Sequence, residues 1–548
     1  MREAKVTPHS LRVADFFCGG GGFSEGFRQA GFSIVFAIDK WAPAVETYRG
    51  NKPDATVVQD DILRISKLPD AEFEKLIPDT EVIIGSPPCQ SFSHSNKSGN
   101  ADKSLGIKLI EAYFRIIARK KFKAGSVLRY WVLENVPAVK EYIREEYTAA
   151  DLELEGDFVL RPRYGASGKY NAKYFGAPTN RERYLCGEFP KPIETRSDKD
   201  LITLGQILDS LGDPLRTDHA TITDINYPDF TLDAQDITDQ HYIYELADFE
   251  CRTAKRLKQD KGYMGKMSFP ENLDKPARTV MATMTASARE AMILGYGNQR
   301  FRLPTVREVA CMMSFPLDYR FYGQSKGIKH TLVGNAVPPK MSYAIAVAIA
   351  RREGMALPEK YLPIKHNDRL PFFNLNGRKF DVKKEKQKRE TAKFKYHIPY
   401  LIIDAYRVEL TNYHSDFEKR RYLWSAEIHY SQGKQKAQVY TPKIAINKIP
   451  IKYRHRVQEF IKQAEKTIPD MNKFQVVFRM TTEQRSQQQF DGPFDLLEKI
   501  KDFIDNTFAL QDQSKRVSLK DGSQTIPLAI VAGYLILKKI TTFMGRKS

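Results

Sequence analysis

Residues 85–93 read Gly-Ser-Pro-Pro-Cys-Gln-Ser-Phe-Ser, so two prolines fix the backbone directly ahead of Cys89. A cysteine presented this rigidly, ahead of the Ser-, Asn-, Lys- and Gly-rich stretch 91–106, suits a nucleophile beneath a closing loop better than a packed thiol. Glu134 follows the apolar run Trp131-Val132-Leu133, where burial raises a carboxyl pKa and lets the group hold and deliver a proton. Upstream, Asp15-Phe16-Phe17-Cys18 runs into four glycines, Gly19 to Gly22. Glycines let a backbone turn tightly and approach a ligand where a Cβ would collide. No Gly-Lys-Ser/Thr follows, which excludes a Walker phosphate loop. Asp39 stands about 20 residues on, where such folds grip a ribose, and Asp61 is placed to accept a bond from an adenine amino group.

These groups converge only if particular elements carry them. Short apolar runs at 13–17, 34–38, 56–58, 81–84 and 130–133 predict strands covered on both faces, and 24–30 and 107–119 predict helices between them. The pattern is α/β, a doubly wound parallel sheet. Cys18 to Gly22, Asp39, Asp61, 86–90 and 134–136 then all fall just beyond strand carboxyl ends, the ligand-binding edge of open sheets. A glycine loop with two acids fits adenosine lacking a pyrophosphate, the shape of S-adenosylmethionine; the same turn also occurs in nucleotide-binding folds generally.

The whole chain has 548 residues with 42% hydrophobic and 11% aromatic content, which excludes global disorder and predicts two or three domains. Its net charge is +19, and 37 basic against 21 acidic residues fall in 355–548, leaving only +3 upstream. A positive excess so placed points to a polyanion, nucleic acid first, or else to a solvated basic surface. Five scattered cysteines suit a reduced, cytoplasmic protein without a disulfide framework, and no metal-ligand spacing stands out. The first ten residues do not read as a signal peptide. The most apolar stretch, 526–537, contains Pro527 and Gly533 and reads as too short for a membrane span, so no membrane partner is expected.

In order, Phe17–Gly22, Pro88-Cys89-Gln90, Glu134-Asn135-Val136, Arg181-Glu182-Arg183, the set Arg302, Thr305, Glu308, Phe315 and Pro316, and Gly334-Asn335-Ala336-Val337-Pro338 resemble the motifs of the DNA cytosine-5 methyltransferase family. The resemblance covers 11 to about 354; it departs at Thr179, where the family often has Gln, and in the Lys40-Trp41 pair after Asp39. It implies a Rossmann-like, class I S-adenosylmethionine-dependent methyltransferase fold with an inserted target recognition domain and a C-terminal α+β extension. The implied division is 1–188 and 276–354 for catalysis, 189–275 for target recognition, and 355–548 for the extension. Implied catalytic residues are Cys89, Glu134, Arg181 and Arg183. Implied cofactor contacts are Phe17, Gly19, Gly21, Gly22, Asp39, Trp41, Asp61, Ile62, Pro88 and Asn335. The expected partner is double-stranded DNA, with cognate restriction or defence proteins in a restriction-modification setting. The motifs also fit cytosine methylation in transfer RNA, and the fold a catalytically silent DNA-binding protein. For 355–548, a non-specific DNA clamp and a docking platform for proteins are the two readings.

Overall fold

The computed structural model describes residues 10–88, 92, 103–216, 221–260, 266–295, 297, 299–378, 382–431, 438–488, 490–518 and 525–547. The chain forms two compact units, Met1–Leu246 with Pro270–Val382, and Ala247–Phe269 with Lys383–Ser548.

In the first unit the five expected strands are β1 Arg12–Phe16, β2 Ser33–Asp39, β3 Thr56–Gln59, β4 Val82–Gly85 and β5 Tyr130–Asn135. Two further strands, β6 Gly168–Asn171 and β7 Glu182–Glu188, extend the sheet to the order β3-β2-β1-β4-β5-β7-β6 among the described residues. The first five run parallel, and β7 is antiparallel to both β5 and β6. The chain leaves β1 toward β2 and β3 and returns on its other side at β4, so the strand order reverses there. Cα register pairs Phe16 with Ile38 and Gly85, and Gly85 with Leu133, so the strand ends are level.

Alternation sends successive side chains into two cores. Val13, Ile84 and Val132 meet Phe23 and Phe27 of α1 (Gly22–Gln29) on one face. Ala14, Ile83 and Trp131 meet Ile110, Phe114 and Ile117 of α2 (Ser104–Lys121) on the other. Later helices α3 (Val306–Met312), α4 (Lys326–Asn335) and α5 (Pro339–Arg352) return the chain, α5 packing on α1.

The second unit has a four-stranded antiparallel sheet, β8 Lys395–Ile403, β9 Tyr406–Thr411, β10 Ser425–Tyr430 and β11 Gln438–Tyr440. Residues 395–411 therefore form a hairpin. Asp404 and Ala405 both take positive φ, 48° and 66°, the two-residue turn that matches strand twist. The sheet packs on α6, Leu528–Lys547. By length and composition this 20-residue helix is apolar enough to cross a membrane, contrary to the expectation for 526–537; 72% of its most apolar window is buried in the protein core. Helix Asp248–Gln259, expected in the recognition segment, packs in this unit too: the Arg256 guanidinium lies 3.5 Å from the Phe494 ring centre.

Candidate active site

The loop between β1 and α1 reverses direction through left-handed residues, with φ of 55° at Phe17, 51° at Gly19 and 79° at Gly21. Phe17 holds this conformation despite its side chain, a strain of about 1 kcal/mol or more. A Cβ at Gly22 would stand 2.3 Å from the Val337 carbonyl oxygen, so only glycine lets α1 lie flush on the returning segment. Above Gly19, by contrast, nothing among the described residues nearer than the Phe17 carbonyl at 4.0 Å meets an added Cβ, which leaves room for a ligand. The Gly19 amide donates to Asp39 Oδ2 at 2.9 Å and the Trp41 amide to Asp39 Oδ1 at 2.8 Å, so β2's terminal acid braces the loop. Burial raises the pKa of Asp39, opposed by these amides.

Asp61 is held differently. Its Oδ1 caps a helical turn at the Leu63 amide, 2.9 Å, and its Oδ2 accepts from the exposed Lys40 ammonium, 2.8 Å, which lowers its pKa. Ile62 is buried in that turn, while Trp41 starts the helix Ala42–Asn51 with its side chain partly exposed. Pro87 is buried and Pro88 exposed. Asn135 donates from Nδ2 to the Pro87 carbonyl at 2.9 Å, tying the loop after β4 to the end of β5. Cys89, Gln90 and most of the expected closing loop, 93–102, lie outside the described residues.

Glu134 and Arg183 come together across β5 and β7. Arg183 Nε stands 2.9 Å from Glu134 Oε1, with 10% and 7% of the side chains exposed. Desolvation raises the pKa of Glu134, while Arg183 and Arg181 pull it back. Arg181 instead donates to the carbonyls of Val280, Gly334 and Ala336 at 2.9, 3.0 and 3.1 Å, riveting the chain on both sides of the long excursion between them. Asn335 is exposed at the end of α4, between two of those anchors. Arg302 forms a buried bidentate pair with Glu308, 2.7 Å at each oxygen, and Thr305 caps α3. Those motif residues build the framework. Sequence reading missed two supports: Tyr319, whose hydroxyl donates to the Gly20 carbonyl at 2.7 Å, and Asn135 as the Pro87 tether. Asn135's place beside Glu134 was the available signal; Tyr319 had none.

A glycine loop beside a strand-end acid, with a carboxyl–guanidinium pair two strands away, all on the carboxyl edge of a sheet whose order reverses at β1, defines a Rossmann-like methyltransferase of class I. The sequence model of C-5 cytosine-specific DNA methylase matches residues 11–351. The chain belongs to that family, and is a DNA cytosine-5 methyltransferase. It is 30% identical over 353 residues to a chain of Methanocaldococcus jannaschii assigned as the type II methyltransferase M.MJ0563P, covering 62% of this chain and 100% of that one. It is 28% identical over 357 residues to the type II methyltransferase M1.HphI of Haemophilus parahaemolyticus, covering 62% and 87%. The solved structure of the S. pombe Dnmt2 methyltransferase aligns with 18% identity and a TM-score of 0.41, over 62% of this chain and 99% of that one.

Proposed function

We propose that the protein transfers a methyl group from S-adenosylmethionine to carbon 5 of a cytosine flipped out of duplex DNA, through a covalent Cys89 adduct. The Glu134–Arg183 pair at the end of β5, beside a loop tethered by Asn135, carries this reading. The cofactor supplies an electrophilic methyl on sulfonium. The space over Gly19 and the Asp39 carboxylate suit its adenosine, with Phe17, Gly21, Gly22, Trp41, Asp61, Ile62, Pro88 and Asn335 as the further contacts of the reading.

Carbon 5 of cytosine is too poor a nucleophile to react unaided. The Cys89 thiolate adds to carbon 6, and the ring electrons move to carbon 5 as an enamine. Glu134, protonated, donates to N3 and accepts from the amino group, neutralising charge as it develops. Arg183 holds the pyrimidine O2, and Arg181 steadies the frame. Once carbon 5 carries the methyl, its proton leaves to a base and the thiolate is eliminated. Arginine charge increases the thiolate fraction of Cys89. Flipping the base costs a few kcal/mol.

The recognition role of 189–275, a cytoplasmic setting, a restriction-modification system with cognate defence proteins, and a backbone-gripping role for the basic 355–548 complete the reading. The type II names of the relatives and the charge distribution support it. The test is tritiated methyl transfer to duplex DNA and to transfer RNA, with Cys89→Ala alongside. Label at carbon 5 of cytosine in DNA, absent from Cys89→Ala, is expected. Label in RNA alone moves the substrate to RNA, and DNA binding without label leaves a silent binding protein.

A further inference from the structure

The second unit buries a group of side chains that methyl transfer does not use. Glu409 on β9 and Glu427 on β10 stand directly opposite one another in the ladder, as do Arg407 and His429. Like charges facing each other across a sheet destabilise it unless something compensates them. Glu409, Glu427 and His429 are all buried, and one ligand atom from each lies within 4.8 Å of the others.

The orientation of the two carboxylates is the telling feature. Arg407 Nε donates to Glu409 Oε1 at 2.6 Å, and His414 Nε2 lies 2.7 Å from Glu427 Oε1. Each outer oxygen is thus held from the rim, which turns both inner oxygens toward one point. His429 Nε2 stands there, 2.8 Å from Glu427 Oε2 and 3.2 Å from Glu409 Oε2. One imidazole nitrogen carries at most one proton, and among the described residues Glu409 Oε2 has no hydrogen-bond partner although its residue is only 5% exposed. Donor atoms about 2.0–2.2 Å from a shared tetrahedral cation sit about 3.3–3.6 Å apart, so the imidazole–carboxylate separations of 2.8 and 3.2 Å need open by only a few tenths of an ångström to about 0.8 Å on binding.

We propose that Glu409, Glu427 and His429 form a binding site for a divalent transition cation, Zn²⁺ in the first instance, with Arg407 and His414 fixing the ligands from outside. Two carboxylates and an imidazole are a borderline-hard donor set suited to Zn²⁺ or Mn²⁺. Three protein ligands leave a coordination position open to water. Lys395 guards the entry: its ammonium lies 3.5 Å from Glu409 Oε2 and 3.9 Å from Glu427 Oε2, on a side chain 36% exposed that can swing away. It competes with the cation for the same two oxygens. The inference is independent of the methyl-transfer reading.

The test is titration calorimetry of the full-length, chelator-treated protein with Zn²⁺ and separately with Mn²⁺, which thiols bind poorly, plus visible absorption with Co²⁺. One ion per chain is expected, weakened at least about tenfold by Glu409→Gln and by His429→Gln. Lys395→Gln should tighten binding, because it removes the competing ammonium; a closed salt-bridge network predicts no such gain. No stoichiometric binding, or binding unchanged in both ligand variants, overturns the proposal. Should the ligand variants fail to fold by circular dichroism, Lys395→Gln decides: unchanged affinity overturns it.

Discussion

Both units bury glutamates on sheet strands, and they treat them oppositely. In the first, Glu134 ends β5, pairs with Arg183 and feels the charge of Arg181, and desolvation still wins, so its carboxyl pKa rises. In the second, burial also pushes Glu427 up, but His414 and His429 outweigh it and the pKa falls. Asp15, within β1, is the limiting case: its carboxylate is met by the hydroxyls of Tyr48 and Ser24, and burial pushes it up to about 7. The balance between desolvation and the groups that face each acid decides which way its pKa moves. A carboxyl whose pKa is raised is what a developing negative charge on a base requires.

Substitutions can break this contrast. The largest expected effect is in Glu134→Gln, which cannot deliver a proton: transfer falls about 10²–10⁴-fold in single-turnover methylation, with cofactor binding by calorimetry retained. Next, Arg183→Met leaves Glu134 buried without its cation, costing about 3–5 kcal/mol of stability in urea melts at neutral pH. In acid, where Glu134 is protonated in both states, the loss should shrink. Asp15 sharpens the contrast through pH. An unfolded aspartate loses its proton near pH 3.9, the folded one near about 7, so the folded state holds more protons between them. Stability should therefore drop by about 2–4 kcal/mol as pH rises through that window, and level off above it. Asp15→Asn should flatten that slope in melts from pH 4 to 8. The smallest effect is Asn135→Ala: losing one hydrogen bond to Pro87 costs about 1 kcal/mol, read as a few-fold fall in kcat with duplex DNA.

Sequence made the first unit's centre legible because β1 to β5 are covered on both faces and read as unbroken apolar runs. Strands β6 and β7 were not read as strands, since Gly-Lys-Tyr-Asn and Glu-Arg-Tyr-Leu-Cys-Gly-Glu are half polar and pair antiparallel at the edge. The motifs located Glu134 and Arg183 but not the bond between them, which depends on β7 lying beside β5. Asp61 was legible as a strand-end acid, and its service as a helix cap was not. The Glu409–Glu427–His429 group was invisible for a related reason. Its members come from two strands, and nothing in either strand alone announces that residue 409 faces residue 427.

That the second unit draws on two separated stretches, 247–269 and 383–548, sets a timetable for biosynthesis. Helix Asp248–Gln259 leaves the ribosome well before Phe494 and the helix Pro493–Thr507 that it packs against. At about 5–20 residues per second, the more than 230 residues between them take roughly 12–47 s to make. By the end of that interval the helix has reached Lys383 and Tyr396 through Glu250 and Arg256 but still lacks the Phe494 ring, and every message truncated before residue 493 omits that ring permanently. A gene shortened at its 3′ end would therefore yield a product with an incompletely covered helix inside its middle third, a target for chaperones and proteases, and not simply a smaller enzyme.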